Sequence, residues 1–421
     1  MCLVHPLKRR RRNRLMYKLL VRFLTLVLAV TNAAYSAEFH HFGGLNAEPL
    51  FTFPYDVSGD GRVVVGLSQY STESSNVQAF RWTFEEGMAG LGFVSTNGYE
   101  SIAHAVSYDG SSIIGSSHGM PLNGQFLWNA NDGMRAISTN QDPFPRLCAA
   151  YGISADGTIV VGKGCSETSE SAMWSREGGF VSLGDLPGGD TFGFATGISA
   201  NGSTVVGFGS DEDGTHAYRW TKADGIVAIG DLSGGEFRSM ATGISADGFT
   251  VVGGSSSVFS GAEASEAFRW TQDSGMVGLD DLPGGIFASS ATDVSADGSV
   301  IVGIAHSERG SEAFVWDEQH GMRSLYDLLL ADPTIAPQLE GWAFHAAVAV
   351  SDDGRTIVGD GTNPNGEREG WLVRIDSAPV PEPSTVAMLM TAVICVLARR
   401  RVSHAVAAKR WGATGSASER R

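Results

Sequence analysis

A short apolar run, a polar turn and a second apolar run recur along this chain, displayed most plainly at 291–303, ATDVSADGSVIVG. The pattern starts at Tyr55. A stretch ending in Val or Ile and Ser leads into the turn, and a valine-rich run closing on Gly follows. The turn stands at Asp60-Gly61, Asp109-Gly110, Asp156-Gly157, Asn201-Gly202, Asp247-Gly248, Asp297-Gly298 and Asp353-Gly354. A strand carrying tryptophan follows each, at Trp82, Trp128, Trp174, Trp220, Trp270, Trp316 and Trp371. Seven turns and seven tryptophans make seven repeats, spaced by 45 to 56 residues. That period belongs to solenoids and propellers.

Each repeat holds four strand candidates. In the copy 241–282 they are 241–245, 250–253, 267–271 and 276–279, the first two joined by Ala246-Asp247-Gly248. Asp-Gly supplies the positive φ of a tight hairpin. The third strand, Ala-Phe-Arg-Trp-Thr, alternates in side-chain direction, so Phe268 and Arg269 face opposite ways. The fourth ends in Gly-Asp-Leu-Pro-Gly-Gly at 184–189, with relatives at 230–235 and 280–285. Those glycines and prolines are expected to end a sheet edge and begin the crossing to the next repeat.

Four short antiparallel strands per repeat predict an all-β chain, a seven-bladed β-propeller. The alternative is an open β-solenoid of stacked hairpins. The ends of the pattern favour the ring. The last repeat has no fourth strand after Trp371, and an unpaired strand-like segment, Glu38 to Leu45, precedes the first repeat. Placed as the outermost strand of blade seven, it removes two exposed edges. The first strand of each repeat then faces the channel. Ala103, Ala150, Ala195, Ala241, Ala291 and Ala347, with Gly152, Gly197 and Gly243, suit that crowded axis. The tryptophans, with the phenylalanines, are expected to pack between blades rather than stack on carbohydrate. The insertion 327–341 precedes Trp342, which either lies exposed or caps the ring; such insertions are the first place to look for binding. Acidic loops at Ser210–Gly214 and 263–266 are further candidates.

Charge is segregated. Of 30 basic residues only 15 lie in 38–378, against 44 acidic ones, a difference of −29. Such a body repels nucleic acid and anionic membranes. Residues 1–37 read as an export signal. Lys8, Arg9, Arg10, Arg11, Arg12, Arg14, Lys18 and Arg22 precede the apolar core Phe23 to Val30, with cleavage after Ser36 or Ala37 and an alternative start at Met16. A retained anchor is the other reading, but the apolar run is shorter than the roughly 20 residues of a spanning helix.

No motif names a catalytic residue, a cofactor site or a metal site. H-E-x-x-H, G-x-S-x-G, the Walker loop and the dinucleotide fingerprint are absent from the sequence. The Asp-Gly turns lack the alternating oxygen ligands of a calcium loop, so each carboxylate is assigned to its own backbone. Cys148 and Cys165 flank one hairpin. With Asp156-Gly157 as a two-residue turn, Ala155 faces Thr158 and Cys148 faces Cys165. That is a non-hydrogen-bonded pair with Cα atoms about 4.5 Å apart, open to a disulfide. A three-residue loop would instead set Cys148 opposite Gly164. The other cysteines, Cys2 and Cys395, lie in segments expected to be removed.

At the C-terminus a linker, 377–385, carries Pro381-Glu382-Pro383. The apolar run Val386 to Ala398, the cluster Arg399-Arg400-Arg401 and a basic tail, 402–421, follow. This order resembles the PEP-CTERM sorting signal of bacterial envelope proteins. The resemblance implies an exosortase-type processing enzyme as partner and transient membrane association through 386–398. The tail beyond the arginines departs from the family's pattern. His216-Ala217-Tyr218, with Glu266-Ala267-Phe268 and Glu312-Ala313-Phe314, resembles the HAF family of extracellular repeats over roughly 50–375. That likeness implies a secreted or surface protein found beside exopolysaccharide, with no known reaction. The resulting expectation is an exported, non-catalytic envelope or matrix module, placed at the outer envelope, cell surface or outside. Its partners would be extracellular polysaccharide or envelope proteins. A propeller glycoside hydrolase or polysaccharide lyase is the rival.

Overall fold

The computed structural model describes residues 36–45, 51–70, 76–165, 169–260 and 264–376. The compact body runs from Ala37 to Asp376. It is all-β, in mostly antiparallel four-strand sheets; two pairs of these join through single parallel bridges, Val77 to Glu100 and Thr215 to Arg238.

The turns show why the period is so regular. Ser58 Oγ donates to Asp60 Oδ1 at 2.7 Å and accepts from the Val63 amide at 2.9 Å. Ser295 repeats this with Asp297 and Val300 at 2.9 and 3.0 Å. The carboxylate in turn accepts the amide two residues on, as in Ser299 N to Asp297 Oδ1 at 3.0 Å. Gly61, Gly110, Gly157, Gly202, Gly298 and Gly354 follow at φ of 71° or 72°, and Gly248 at 79°. Neighbouring turns are also bonded to one another: Asp60 N to Tyr108 O, Tyr108 N to Ala155 O, Ala155 N to Ala200 O, Ala200 N to Ala246 O, and Ala296 N to Asp352 O. Asp352 N bonds Gly59 O at 3.0 Å, joining the last turn to the first.

The apolar core is divided among the sheet interfaces. One cluster joins Val63, Val65 and Ala79 to Ile113 and Phe126 of the next repeat. Another joins Val64, Phe80 and Trp82 of the first repeat to Val358 and Leu372 of the last. On the third strands Phe80, Phe126, Tyr218, Phe268 and Phe314 are wholly buried. Each lies opposite a glycine, as Phe268 does Gly253, where a β-carbon would sit 2.9 Å from the ring. In the last repeat Trp371 takes this phenylalanine place, opposite Gly359, and Val373 takes the tryptophan place. The seventh tryptophan is therefore not equivalent to the other six.

Strand Ser36–His41 pairs with Arg368–Asp376, the outermost position of the last sheet. Its Phe39 packs on Trp342 and Phe344 at 5.3 and 5.7 Å between ring centres. The insertion is ordered by the same cluster. A short helix, Leu325–Leu330, is capped by Ser324 Oγ accepting the Asp327 amide and buries Leu325 and Leu329; a 3-10 turn, Ala336–Leu339, follows. Trp342 is buried there, so it caps the sheet instead of lying exposed. One boundary expectation fails. The glycine pairs at 188, 234 and 284 open the next strand, Gly188–Ile198, Gly234–Ile244 and Gly284–Val294, rather than ending the previous edge. With no β-carbon, Gly235 can run beside Ser256, whose carbonyl carbon would lie 2.4 Å from one.

Candidate functional site

The first strand of every repeat carries a register shift at the same place. The residues skipped are Tyr55, His104, Tyr151, Thr196, Thr242, Thr292 and Val348. A bulge re-aims a side chain, and all seven of these residues line one cavity of about 200 Å³. The lining is two-sided. Tyr55, His104 and Tyr151 form an aromatic arc in the lining, with successive ring centres 5.8 and 6.0 Å apart, and Phe194 extends it outside the lining at 6.1 Å from Tyr151. Opposite stand three threonines whose hydroxyls bridge to the next sheet: Thr196 to Ala241 O, Thr242 to Ala291 O and Thr292 to Ala347 O, at 2.8, 2.8 and 2.9 Å.

Two carboxyls lie beneath the ring of bulges. Asp56 accepts the Val57 and Val106 amides, both at 2.8 Å, and Asp293 accepts Val350 at 2.9 Å. Each thus ties its sheet to the next. Burial pushes the Asp293 carboxyl up to about 7, with Asp352 adding to the rise. Asp56 is raised well above the ordinary carboxylate range, first by burial and then by the charge of Asp293. His104 is lowered to about 4, by burial and then by His118. Pattern-reading missed both aspartates. Their signal was present: two positions before the turn serine the other copies carry Gly or Ala, and only Asp56 and Asp293 carry charge.

The end of the sheets where the inner strands begin is rich in exposed apolar side chains. Phe237, Val258, Phe259 and Ile286 are each more than 60% exposed. Phe259 lies 5.5 Å from Phe287 between ring centres. Phe237 and Ile286 lie on the strand extensions that the glycine pairs open in two successive repeats, and Val258 and Phe259 in the turn after Thr250–Ser257.

The structure bonds Cys148 to Cys165, with Cα atoms 5.6 Å apart. The register differs from both expected alternatives. Ile153 faces Val160 as the two-residue turn requires, but shifts at Tyr151 and Cys148 bring Arg146 opposite Cys165. Cys148 is the extra residue of a bulge. His216 is nearly buried, its Nδ1 2.8 Å from Asp231 Oδ2 and its Nε2 3.1 Å from Asp211 Oδ1 in the acidic loop. The second of those contacts lacks hydrogen-bond geometry. Residue 263 and the sorting residues Pro381, Glu382, Pro383, Arg399, Arg400 and Arg401 lie outside the described residues, as does the segment 386–398. Among the described residues no helix is long and apolar enough to cross a membrane.

The PEP-CTERM protein-sorting motif matches residues 379–401. It is the signal an exosortase processes, and it implies an exported protein placed at the cell surface or outside. No curated protein sequence matches the chain. Among solved structures, a prolyl endopeptidase is similar at 10% identity and a TM-score of 0.50, over 78% of this chain and 50% of that one. TolB from Acinetobacter baumannii is similar at 13% identity and 0.45, over 63% of each chain. The Dos1 propeller is similar at 9% identity and 0.44, over 79% of this chain and 94% of that one. The chain thus spans about half of the endopeptidase and under two thirds of TolB. At such identities a likeness concerns the fold alone.

Proposed function

We propose that this chain is an exported, non-catalytic interaction module of the envelope or extracellular matrix, built as a seven-bladed propeller whose last blade is completed by its first strand. The bonds from turn to turn and the apolar cluster shared by first and last repeats support the ring. One observation carries the interaction reading: Phe237, Val258, Phe259 and Ile286 stand exposed at one end of neighbouring sheets. Apolar groups gathered in this way mark a contact surface. Envelope proteins or extracellular polysaccharide are the partners this placement offers. The likeness of 216–218 to HAF repeats agrees with it.

The rival hydrolase or lyase reading has one observation in its favour, the buried carboxyls Asp56 and Asp293 with raised proton affinity. Each accepts an amide of the next sheet, Val106 for Asp56 and Val350 for Asp293, which suits a structural task better. The test is to incubate the mature protein with envelope glycans and proteins, following retention and product release together. Retention without products, lost in Phe237→Ser/Phe259→Ser, supports the module. Turnover abolished in Asp56→Asn/Asp293→Asn would replace it with the enzyme.

A further inference from the structure

The main chain enters the folded body at a carboxylate. The Ala37 nitrogen lies 3.3 Å from Asp332 Oδ2, a buried contact across 295 residues of sequence. Ala37 itself is buried and belongs with Phe39, Leu329, Leu339 and Trp342 to the cluster beneath the insertion. The other carboxylate oxygen is already engaged: Asp332 Oδ1 accepts the Thr334 amide at 2.8 Å and its hydroxyl at 2.7 Å. Those bonds hold the carboxyl below its usual range, so it stays ionised. Oδ2 is thereby presented to residue 37. A peptide N–H is a modest donor to such an oxygen; an ammonium, carrying full charge, is a stronger one.

Two further observations meet at the same residue. The compact body begins at Ala37. Immediately upstream the sequence places Ala34 and Ser36 at the −3 and −1 positions of a leader. Cutting one bond later would put Tyr35 at −3. It would also remove a buried residue and take from Asp332 its main-chain partner.

We propose that the Ser36–Ala37 bond is the export cleavage site and that the new α-ammonium of Ala37 is captured by Asp332. The inference rests on the export reading above. An endopeptidase of the leader-removing class hydrolyses the bond. Water supplies hydroxyl to the Ser36 carbonyl carbon and hydrogen to the Ala37 nitrogen, which takes one more proton at neutral pH. Cleavage precedes closure of the last sheet, because Ala37 lies in a paired, buried strand and fits no protease cleft once folded. Leader removal then creates the charge that fastens the strand beginning at Ala37 to the insertion. The unprocessed chain offers Asp332 only an amide.

The test has two arms. The full chain is expressed in an exporting bacterium and the N-terminal peptide of the exported product is read by mass spectrometry. Ala37 is expected. A start at Glu38, or at a leader residue other than Met1 or Met16, overturns this inference alone, whereas a product still beginning at Met1 or Met16 overturns the export reading itself. In the second arm, Asp332→Asn is compared in the exported protein and in one whose cleavage site is moved to leave a single extra residue. Asparagine keeps the Thr334 bonds and removes the charge. The substitution should lower the folded-to-unfolded ratio about fivefold more in the protein beginning at Ala37. Equal losses in the two backgrounds overturn the capture.

Discussion

His41 Nδ1 and Glu369 Oε1 stand 2.7 Å apart although 328 residues separate them in sequence. The same carboxylate accepts the Gly43 amide at 2.8 Å, and its other oxygen accepts Asn363 Nδ2 at 2.9 Å. One glutamate thus holds the beginning of the chain against its last strand. Glu369 occupies the place of His216, Glu266 and Glu312 in their repeats, each one residue before the small residue of the third strand.

Apolar contact should dominate that attachment. Phe39→Ala removes a ring packed on Trp342 and Phe344 and should cost about 3 kcal/mol in urea unfolding, with Phe42→Ala similar through its contact with Trp82. Glu369→Gln, which keeps an acceptor for Gly43, should cost less. A midpoint unchanged in both phenylalanine variants would show that the strand adds nothing.

The pair Asp56 and Asp293 gives a pH dependence of definite sign. A carboxyl raised in the folded state binds its proton more tightly there than in the unfolded chain, so stability rises as pH falls through the raised value. For Asp293 the window runs from about 7 down to the ordinary carboxylate range, with a contribution of at most about 4 kcal/mol. Below about pH 4 the turn aspartates act in the opposite direction. Asp109, Asp156 and Asp297 are lowered chiefly by side-chain bonds from Ser111, Ser154 and Ser299, and stability is lost as they protonate. Thermal midpoints should therefore increase from pH 8 to about pH 5 and drop at lower pH. Asp293→Asn, which keeps an oxygen for Val350, should flatten the upper limb and raise the midpoint at pH 8. A wild-type midpoint that falls steadily from pH 8 downward would contradict this.

The bond between Cys148 and Cys165 closes a loop of 17 residues. Loss of such a constraint costs about 3 kcal/mol. Non-reducing peptide mapping of the exported protein should recover the two cysteines in one linked pair of peptides, and Cys148→Ser/Cys165→Ser should unfold at correspondingly lower denaturant. Full alkylation of both thiols without reduction would sink the expectation.

Much of this architecture is legible in the sequence, because the features that specify it are local and repeated. Asp-Gly at a fixed phase sets the hairpin, and alanine four residues before the turn serine sets the close strand approach. The missing fourth strand of the last repeat pointed to residues 38–45. What escaped reading depends on register. A bulge is one unpaired residue, and nothing in CAAYGISADG announces that both Cys148 and Tyr151 are skipped. Trp371 misled for the same reason: it serves in the phenylalanine layer, two positions from the place its identity suggested. Asp56 and Asp293 were visible as departures from the repeat, yet their burial follows only from the bulges above them.

Closure of the ring by the first strand is tested most directly by amide hydrogen exchange across residues 38–41 in the mature protein. If that strand completes the last sheet, its amides should exchange only through the same global opening that releases Val63–Gln69 at the centre of the first sheet, and the two segments should share one free energy of protection. Exchange of 38–41 within seconds, while Val63–Gln69 stays protected, would mean a frayed terminus and an open last sheet.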